Sequence, residues 1–329
     1  MVLPDTAPAL VATRSGGVDV LVVEDRPVRE PGPGEIVVAV QAVGVNFIDV
    51  YQREGIYPVP APFVMGNEAA GEVVETGEGV TEVVAGDRVA WAMHMGSAQA
   101  LATVPARAVV PVPPDVDLDV AAAAMLQGMT AHYLTRSTYA VTHGTVALVH
   151  AAAGGVGQLL VQMVTARGGR VIATAGSAEK VATARALGAE VAIDYSRVDD
   201  LAAAIREATG GEGVDVAYDG VGRATFDASL ASLKRRGLMV LYGASSGQVA
   251  PFDLQRLNAG GSLFITRPSL AHYTADRGEL LERSAAVLRD IGAGTLHIAV
   301  GGRYPLAEAA RAYEALESRA TQGKLVLLP

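Results

Sequence analysis

The stretch TVALVHAAAGGVG, from Thr145 to Gly157, decides the fold of this chain. Its residues 146–149 are all apolar, which predicts a short strand that is buried on both faces. Small residues follow at the three spacing positions of a dinucleotide fingerprint, namely Ala152, Gly154 and Gly157. The next segment, QLLVQMVTARG, carries apolar residues at helical spacing. An ordinary tight turn can carry the same glycines, but a strand before them and a helix after them favour a pyrophosphate site.

Composition limits the classes of protein to consider. The chain has 329 residues, a length that predicts about two domains. Of these residues 50% are hydrophobic and 19% are charged, which is enough apolar material for a packed core. A net charge of −9 argues against binding to nucleic acid or to an acidic membrane surface. There is no cysteine, so disulfides, thiolate zinc sites and cysteine nucleophiles are excluded. The six histidines lack metal-ligand spacing and are interpreted as surface or core residues, so no metal site is predicted.

Neither a signal peptide nor a membrane span is predicted. The N-terminal segment has no basic start followed by an apolar core, and no run of 18 apolar residues occurs in the chain. We therefore expect a cytoplasmic protein.

Short β-type runs broken by glycine and proline fill residues 1 to about 125. Strands are predicted at 9–14, 21–24, 35–43, 69–76, 87–91 and 107–112. Strands at this spacing, without long helices between them, favour a barrel-like β domain.

Strands and helices alternate after a predicted helix at 119–136. Beyond the strand of the fingerprint, strands are predicted at 170–175, 190–194, 213–222, 238–244 and 262–268, with helices at 178–188, 199–211 and 224–237. This alternation predicts an α/β domain with a doubly wound parallel sheet. Two helices (277–294 and 306–318) and a strand (324–329) end the chain and are too short to form a domain. We expect one domain to comprise 1–125 and 268–329, and the other 126–267.

The residue after the second strand of the sheet indicates which dinucleotide is bound. Enzymes that use NAD usually carry an acid there, about 20 residues past the glycines, to bind the ribose 2′-hydroxyl. Gly176 occupies this position, and Ser177 and Lys180 follow it. Without a carboxylate to repel a 2′-phosphate, the pattern favours NADPH. In the alternative interpretation Glu179 is the ribose-binding acid and Lys180 is a solvated helix residue.

Eight segments together resemble the zeta-crystallin-like NADPH:quinone oxidoreductases, a branch of the medium-chain dehydrogenase/reductase superfamily. These segments are 43–58, 66–80, 86–91, 150–157, 218–222, 235–243, 263–270 and 317–327. The resemblance implies a GroES-like β-barrel catalytic domain in two pieces, a Rossmann NADPH-binding domain between them, and a homodimer. It also implies that the cofactor lies in the cleft between the domains.

The resemblance extends to the zinc-free members of the superfamily. Zinc-dependent members carry Gly-His-Glu where this chain has Gly66, Asn67 and Glu68. Asparagine is a poor zinc ligand. The resemblance therefore implies direct hydride transfer from the nicotinamide to a quinone or a similar conjugated carbonyl, without a metal.

Residue roles also follow from the resemblance. Asn46 and Tyr51 would orient substrate and nicotinamide as the catalytic pair. The cofactor would be bound by Asn46, Asp49, Gln127, Thr130, Gly154, Gly155, Val156, Gly176, Ser177, Lys180, Tyr195, Val221, Gly243, Ser245, Phe264, Thr266, Arg267, Gln322 and Lys324. Relatives often have lysine at the position of Gln127. Glu68 and Asp219 are interpreted as structural acids.

Two other functions fit the same sequence. An enoyl or alkenal double-bond reductase would use the same scaffold and differ in its substrate pocket. A non-enzymatic NADPH-binding or RNA-binding protein is the other, although the acidic charge balance disfavours RNA.

Overall fold

The computed structural model describes residues 3–329. The strands are, in chain order, β1 (Thr6–Ala12), β2 (Leu21–Pro27), β3 (Glu35–Gly44), β4 (Phe63–Val64), β5 (Glu68–Thr76), β6 (Arg88–Ala92), β7 (Leu101–Pro105), β8 (Val110–Pro111), β9 (Val146–Val149), β10 (Arg170–Ala175), β11 (Val191–Asp194), β12 (Val214–Asp219), β13 (Leu233–Leu241), β14 (Phe264–Thr266), β15 (Val300–Pro305) and β16 (Lys324–Leu328). The α-helices are α1 (Phe47–Arg53), α2 (Leu118–Tyr133), α3 (Gly155–Ala166), α4 (Ala178–Ala186), α5 (Leu201–Ala208), α6 (Phe226–Ala231), α7 (Gln255–Ala259), α8 (Leu270–Tyr273), α9 (Arg277–Gly292) and α10 (Ala309–Glu317). Short 3₁₀ turns and one π-helical turn (Leu134–Thr138) connect some of them.

The chain forms two compact units. Unit 1 comprises the chain up to Met129 together with Thr274–Pro329, and unit 2 comprises Thr130–Tyr273. Both boundaries fall a few residues later than the sequence predicts, and the first falls within α2. Helix α2 carries a run of small and apolar residues through this boundary, so composition offered no break there.

Unit 2 is built on a parallel sheet of six strands in the order β11-β10-β9-β12-β13-β14. The strand of the fingerprint, β9, lies in the middle of this order and pairs with β10 and β12. The strand order turns back on itself there, and such switch points are where α/β sheets bind ligands. The core of the unit consists of aliphatic and aromatic side chains of the strands and of α5 and α6, including Leu148, Ile172 and Met239.

Unit 1 contains a sheet in the order β15-β16-β3-β5-β6-β8, with β7 also paired to β3. A second sheet has the order β2-β1-β4. The C-terminal strand β16 pairs with β3 in antiparallel fashion, so the end of the chain completes the first sheet. Trp91 and Tyr313 lie fully buried in the core between these elements. The predicted fold class, an α/β protein with a Rossmann sheet and a GroES-like β domain, is confirmed.

Some element predictions are wrong. Residues 233–237 belong to β13 and not to a helix, because Leu233 pairs with Val214 at the start of the sheet register. A register shift follows this pair, and Arg236 adopts a φ of 63°, which a helix does not accommodate. Residues 107–112 hold a 3₁₀ turn and only a two-residue strand. The sequence pattern predicts neither helices α1, α7 and α8 nor strands β4, β7 and β15.

Among the helices of residues 3–329, none combines the length and the apolar character needed to cross a bilayer.

Candidate active site

The turn between β9 and α3 has a backbone conformation that fits a pyrophosphate. Ala151 has a left-handed φ of 49°, and its carbonyl accepts the Gly154 N–H at 2.8 Å. A Cβ on Gly157 would collide with that carbonyl oxygen, so the turn closes because residue 157 is glycine. Gly154 is the N-cap of α3, which begins at Gly155. The N–H groups of the first helical turn have no acceptor within the helix, and the helix dipole favours an anion there.

Two contacts organise the predicted 2′-phosphate region at the end of β10. The phenol of Tyr195 lies against Gly176, where a Cβ would collide with its oxygen. Ser177 is the N-cap of α4, and its Oγ accepts the Lys180 N–H at 3.3 Å. Burial lowers the pKa of the Lys180 ammonium, against the opposing effect of Glu179. Gly176 and Tyr195 are thus in contact, as are Ser177 and Lys180.

The loops after β12 and β13 are joined to each other. The Ser245 N–H donates to the Gly220 carbonyl at 3.2 Å, and the Ser246 hydroxyl donates to the Val221 carbonyl at 2.7 Å. A Cβ on Gly243 would lie 2.5 Å from the Gly220 carbonyl oxygen, so the two loops need a glycine to approach this closely. The structure therefore brings the predicted residues Val221, Gly243 and Ser245 together at the carboxyl edge of the sheet.

Other predicted cofactor residues are more dispersed. Phe264 and Arg267 are exposed, and Thr266 is half-buried at the end of β14. Thr130 is buried in α2 within unit 2, and Gln127 is half-buried in α2 within unit 1. Gln322 is half-buried just before β16. Contact of these six residues with a cofactor stays a prediction.

In unit 1, Lys324, Asn46 and Glu68 form one buried group. The Lys324 ammonium donates to Asn46 Oδ1 at 2.7 Å and to Glu68 Oε2 at 2.6 Å. Asn46 Nδ2 donates to the same Oε2 at 2.9 Å and to the Gly44 carbonyl at 3.0 Å. The Leu126 N–H donates to Glu68 Oε1. Both ends of the Asn46 amide are therefore held by the protein, and Glu68 has the structural role that the sequence suggests.

Asp49 lies in a second buried group next to the first. Its carboxylate accepts the Asn46 N–H at 2.9 Å, the Asn67 Nδ2 at 2.7 Å and the Tyr313 hydroxyl at 3.2 Å. Asn67 Nδ2 also donates to Gln52 Oε1 at 2.6 Å. Burial raises the pKa of Asp49 to about 6, although these hydrogen bonds and Lys324 act to lower it.

Tyr51 belongs to a small aromatic cluster on and after α1. Its ring meets the Tyr57 ring edge-on, with centroids 5.4 Å apart, and lies 6.2 Å from the Phe47 ring. Tyr57 is exposed and Tyr51 is half-buried. The cluster thus offers an aromatic surface that is accessible from solvent.

Comparisons with known proteins match this architecture. Residues 32–114 match the alcohol dehydrogenase GroES-like domain, and residues 155–274 match the zinc-binding dehydrogenase domain. The chain is 43% identical to quinone oxidoreductase 1 of Escherichia coli over 320 residues, which cover 96% of this chain and 98% of that protein. The chain belongs to the quinone oxidoreductase family of the medium-chain dehydrogenase/reductase superfamily. The predicted resemblance is therefore confirmed.

Two further members bear on the chemistry of the quinone oxidoreductase family. A 2-haloacrylate reductase from Burkholderia is 43% identical over 329 residues, covering 98% of each chain. A mycobacterial protein solved in complex with NADPH is 49% identical, with a TM-score of 0.95, covering 98% of this chain and all of that one.

The matched domain is named for zinc, but the residues of this family member do not fit zinc. The amide nitrogen of Asn67 points at two oxygen acceptors, those of Asp49 and Gln52, so this side chain acts as a donor there. The Lys324 ammonium is bonded to Glu68, and a cation at that carboxylate would have to displace it. Within residues 3–329, no three His, Cys, Asp or Glu side chains are grouped to hold a metal ion.

Sequence reasoning missed the connections between buried polar residues. His150 is the satisfied core residue that one of the two predicted interpretations describes, but nothing in the sequence predicts its partners Thr174 and Ser229, which are 24 and 79 residues away. Tyr313 bonds Asp49 across 264 residues. No local pattern marks such pairs, because they form only when the sheets assemble.

Proposed function

We propose that this protein is a zinc-independent NADPH:quinone oxidoreductase that transfers hydride directly from the nicotinamide to a quinone. The observation that carries the proposal is the turn at α3, where Gly157 lies against the Ala151 carbonyl and the first N–H groups of the helix have no acceptor within it. The names of the relatives supply the class of acceptor, and the mycobacterial structure supports NADPH as the dinucleotide.

Individual residues would share the work of binding. The N–H groups of Gly155 and Val156 would receive the pyrophosphate, and Lys180 with Ser177 would receive the 2′-phosphate. The loops at Val221 and Gly243 would bound the remainder of the dinucleotide. When bound, the nicotinamide supplies the hydride, and the protein supplies orientation and exclusion of water.

On the catalytic unit, we assign Tyr51 to orient the acceptor oxygen, because its ring lies in an accessible aromatic cluster that suits a flat quinone. Asn46 has a fixed amide held at both ends, so it acts as a rigid part of the site and not as a mobile donor.

A second candidate is reduction of an activated carbon–carbon double bond. The 43% identity to a 2-haloacrylate reductase supports it, since the two substrate classes share a conjugated acceptor for hydride.

The test is NADPH consumption by the purified protein with p-benzoquinone and, separately, with a simple enone. We expect fast turnover with the quinone, weak activity with NADH and no effect of a chelator. Turnover with the enone alone would favour the double-bond reductase. Tight NADPH binding without turnover of either acceptor would overturn the enzymatic proposal.

We also propose a homodimer in the cytoplasm that does not bind RNA. The family resemblance supports the dimer, and the net charge of −9 opposes RNA binding. Sedimentation velocity and an RNA gel shift with and without NADPH test these points, and a monomer or a shifted band would overturn them.

A further inference from the structure

A chain of buried polar side chains runs beneath the carboxyl edge of the unit 2 sheet. His150 follows β9, and its Nδ1 lies 2.7 Å from Thr174 Oγ1 on β10. Its Nε2 lies 2.9 Å from Ser229 Oγ on α6. The Ser229 hydroxyl donates at 2.7 Å to Oδ2 of Asp219, the last residue of β12. These four residues are fully buried, with 0% of their surface exposed.

The protons in this series of hydrogen bonds, from Thr174 through His150 and Ser229 to Asp219, have one consistent arrangement. Because the Ser229 hydroxyl donates its single proton to Asp219, its oxygen must accept from His150 Nε2. The imidazole therefore carries its proton on Nε2, and Nδ1 accepts from the Thr174 hydroxyl. Burial lowers the pKa of His150, outweighing the nearby Asp219 carboxylate, so the ring is neutral. All donors in the chain point towards Asp219.

The His150 end of this hydrogen-bonded series fixes the start of the pyrophosphate turn. The His150 N–H donates to the Tyr218 carbonyl on β12 at 3.2 Å. The Ala152 N–H donates to the Thr174 carbonyl on β10 at 3.1 Å. The turn therefore begins from a residue that is bonded to both neighbouring strands, through its backbone on one side and its ring on the other.

The Asp219 end of the series fixes the loop after β12. Asp219 Oδ1 accepts the Val221 N–H at 2.8 Å and the Gly222 N–H at 2.9 Å. The Thr225 hydroxyl donates to the same carboxylate at 2.8 Å. Any shift of Ser229 against Asp219 would be transmitted to these N–H groups, since they share one carboxylate.

We propose that His150 is a positioning residue for the dinucleotide, which fixes the pyrophosphate turn relative to the Val221 loop through Ser229 and Asp219. This inference rests on the proposed function, because it requires NADPH to bind at these two loops. His150 does not act as a catalytic residue, since it is fully buried and bonded only through protein partners on both ring nitrogens. A neutral imidazole suits the position because one ring nitrogen accepts and the other donates.

The experiment measures the Kd for NADPH by fluorescence titration, the kcat at saturating NADPH and the Tm. His150→Phe fills the volume without the hydrogen bonds. Thr174→Val removes one hydroxyl and keeps the shape, while Thr174→Ser keeps the hydroxyl. Ser232→Ala is the matched control, because Ser232 is a fully buried serine whose hydroxyl bonds only the Ala228 carbonyl among the residues described.

We expect His150→Phe to raise the Kd about tenfold and Thr174→Val severalfold, with kcat within about twofold of wild type. Thr174→Ser should restore the wild-type Kd, and Ser232→Ala should leave it unchanged. If His150→Phe does not fold, the two Thr174 variants decide the question.

A wild-type Kd in Thr174→Val and His150→Phe would overturn the inference while the proposed function stands. The inference would also be overturned if Ser232→Ala raised the Kd as much as the His150 and Thr174 variants do for the same loss of Tm. A wild-type protein that does not bind NADPH would overturn both.

Discussion

The phenol oxygen of Tyr195 occupies the space of a side chain on Gly176, since a Cβ built there would collide with it. A carboxylate at this strand end is what selects NAD over NADP in many dinucleotide-binding folds. An NAD-type residue at position 176 would therefore have to displace the Tyr195 phenol, and we propose that these two residues together set the preference for NADPH.

This relationship predicts that the cofactor preference changes only when both residues change. Gly176→Asp alone should lower kcat/KM for NADPH and NADH alike, because the new side chain collides with the phenol. In the double variant Gly176→Asp, Tyr195→Ala, the ratio of kcat/KM for NADH to kcat/KM for NADPH should rise by about tenfold or more. Steady-state kinetics with both cofactors measure this. A single Gly176→Asp variant that already prefers NADH would contradict the steric argument.

Lys180 should distinguish the two cofactors by its charge. Lys180→Ala would remove the proposed charge-assisted contact to the 2′-phosphate, so KM for NADPH should rise about 10- to 100-fold while KM for NADH stays unchanged. Lys234→Ala is the control, since Lys234 pairs with Asp215 at 3.1 Å elsewhere in unit 2. Equal effects of Lys180→Ala on both cofactors would favour Glu179 as the ribose ligand.

The buried ion pair of Lys324 and Glu68 should be costly to break. Lys324→Met leaves an unpaired carboxylate in a site where Glu68 is 0% exposed, and we expect a loss of about 3–5 kcal/mol in the free energy of unfolding. Adding Glu68→Gln removes the buried charge and should recover part of that loss. Urea denaturation measures both. A double variant that is less stable than Lys324→Met would show that the carboxylate is tolerated without its partner.

The raised pKa of Asp49 should make the free energy of unfolding depend on pH. Its pKa is raised by burial to about 6, so the folded chain holds this proton more tightly than the unfolded chain does. The contribution of Asp49 is therefore present in full below about pH 4 and is lost as the pH rises to about 6. Asp49→Asn should remove this slope when unfolding is followed between pH 4 and 7.

Glu35 provides the control of opposite sign. Hydrogen bonds from Arg29 and from the Gly32 N–H lower the pKa of Glu35 to about 2. Its contribution is therefore present above about pH 4.5 and is lost as the pH falls towards 2. Glu35→Gln should leave the slope between pH 4 and 6 largely intact. If Asp49→Asn and Glu35→Gln altered the free energy of unfolding over the same range of pH, the assignment of the slope to Asp49 would be wrong.

Tyr51 should affect turnover and not cofactor binding. Tyr51→Phe keeps the aromatic cluster with Tyr57 and removes the hydroxyl, so kcat with p-benzoquinone should fall about tenfold, the size of one hydrogen bond to the reacting oxygen. KM for NADPH should not change. Tyr57→Phe is the matched control. Unchanged kinetics in Tyr51→Phe would remove Tyr51 from the mechanism and leave protonation to solvent.

The fingerprint around Gly154 and Gly157 predicted the parallel sheet correctly because its signal is local. Strand, turn and helix follow one another within about 20 residues, and the side-chain period of each element is set by its own backbone. The same local logic failed at Leu233–Gly237, where pairing with β12 overrides the helical pattern.

The buried polar groups could not be predicted in the same way. Asn46 and Lys324 are 278 residues apart, and His150 meets Ser229 only across two elements of unit 2. Such contacts are fixed by tertiary assembly, and neither spacing nor composition carries a signal for them. The family resemblance named Asn46 and Lys324 as site residues but gave no reason for their pairing.

The pairing of β16 with β3 has a consequence for how the chain is made on the ribosome. At roughly 5–20 residues per second, Lys324 is synthesised about 15 to 55 seconds after Asn46, its partner 278 residues earlier. Until β16 is made, residues 43–44 of β3 lack their partner strand, whereas β7, the partner of residues 35–39, has already been synthesised. The Glu68 carboxylate also lacks its cation until then. Unit 2 contains all of its own strands and is finished first. The chain of unit 2 is therefore complete while unit 1 still lacks β16.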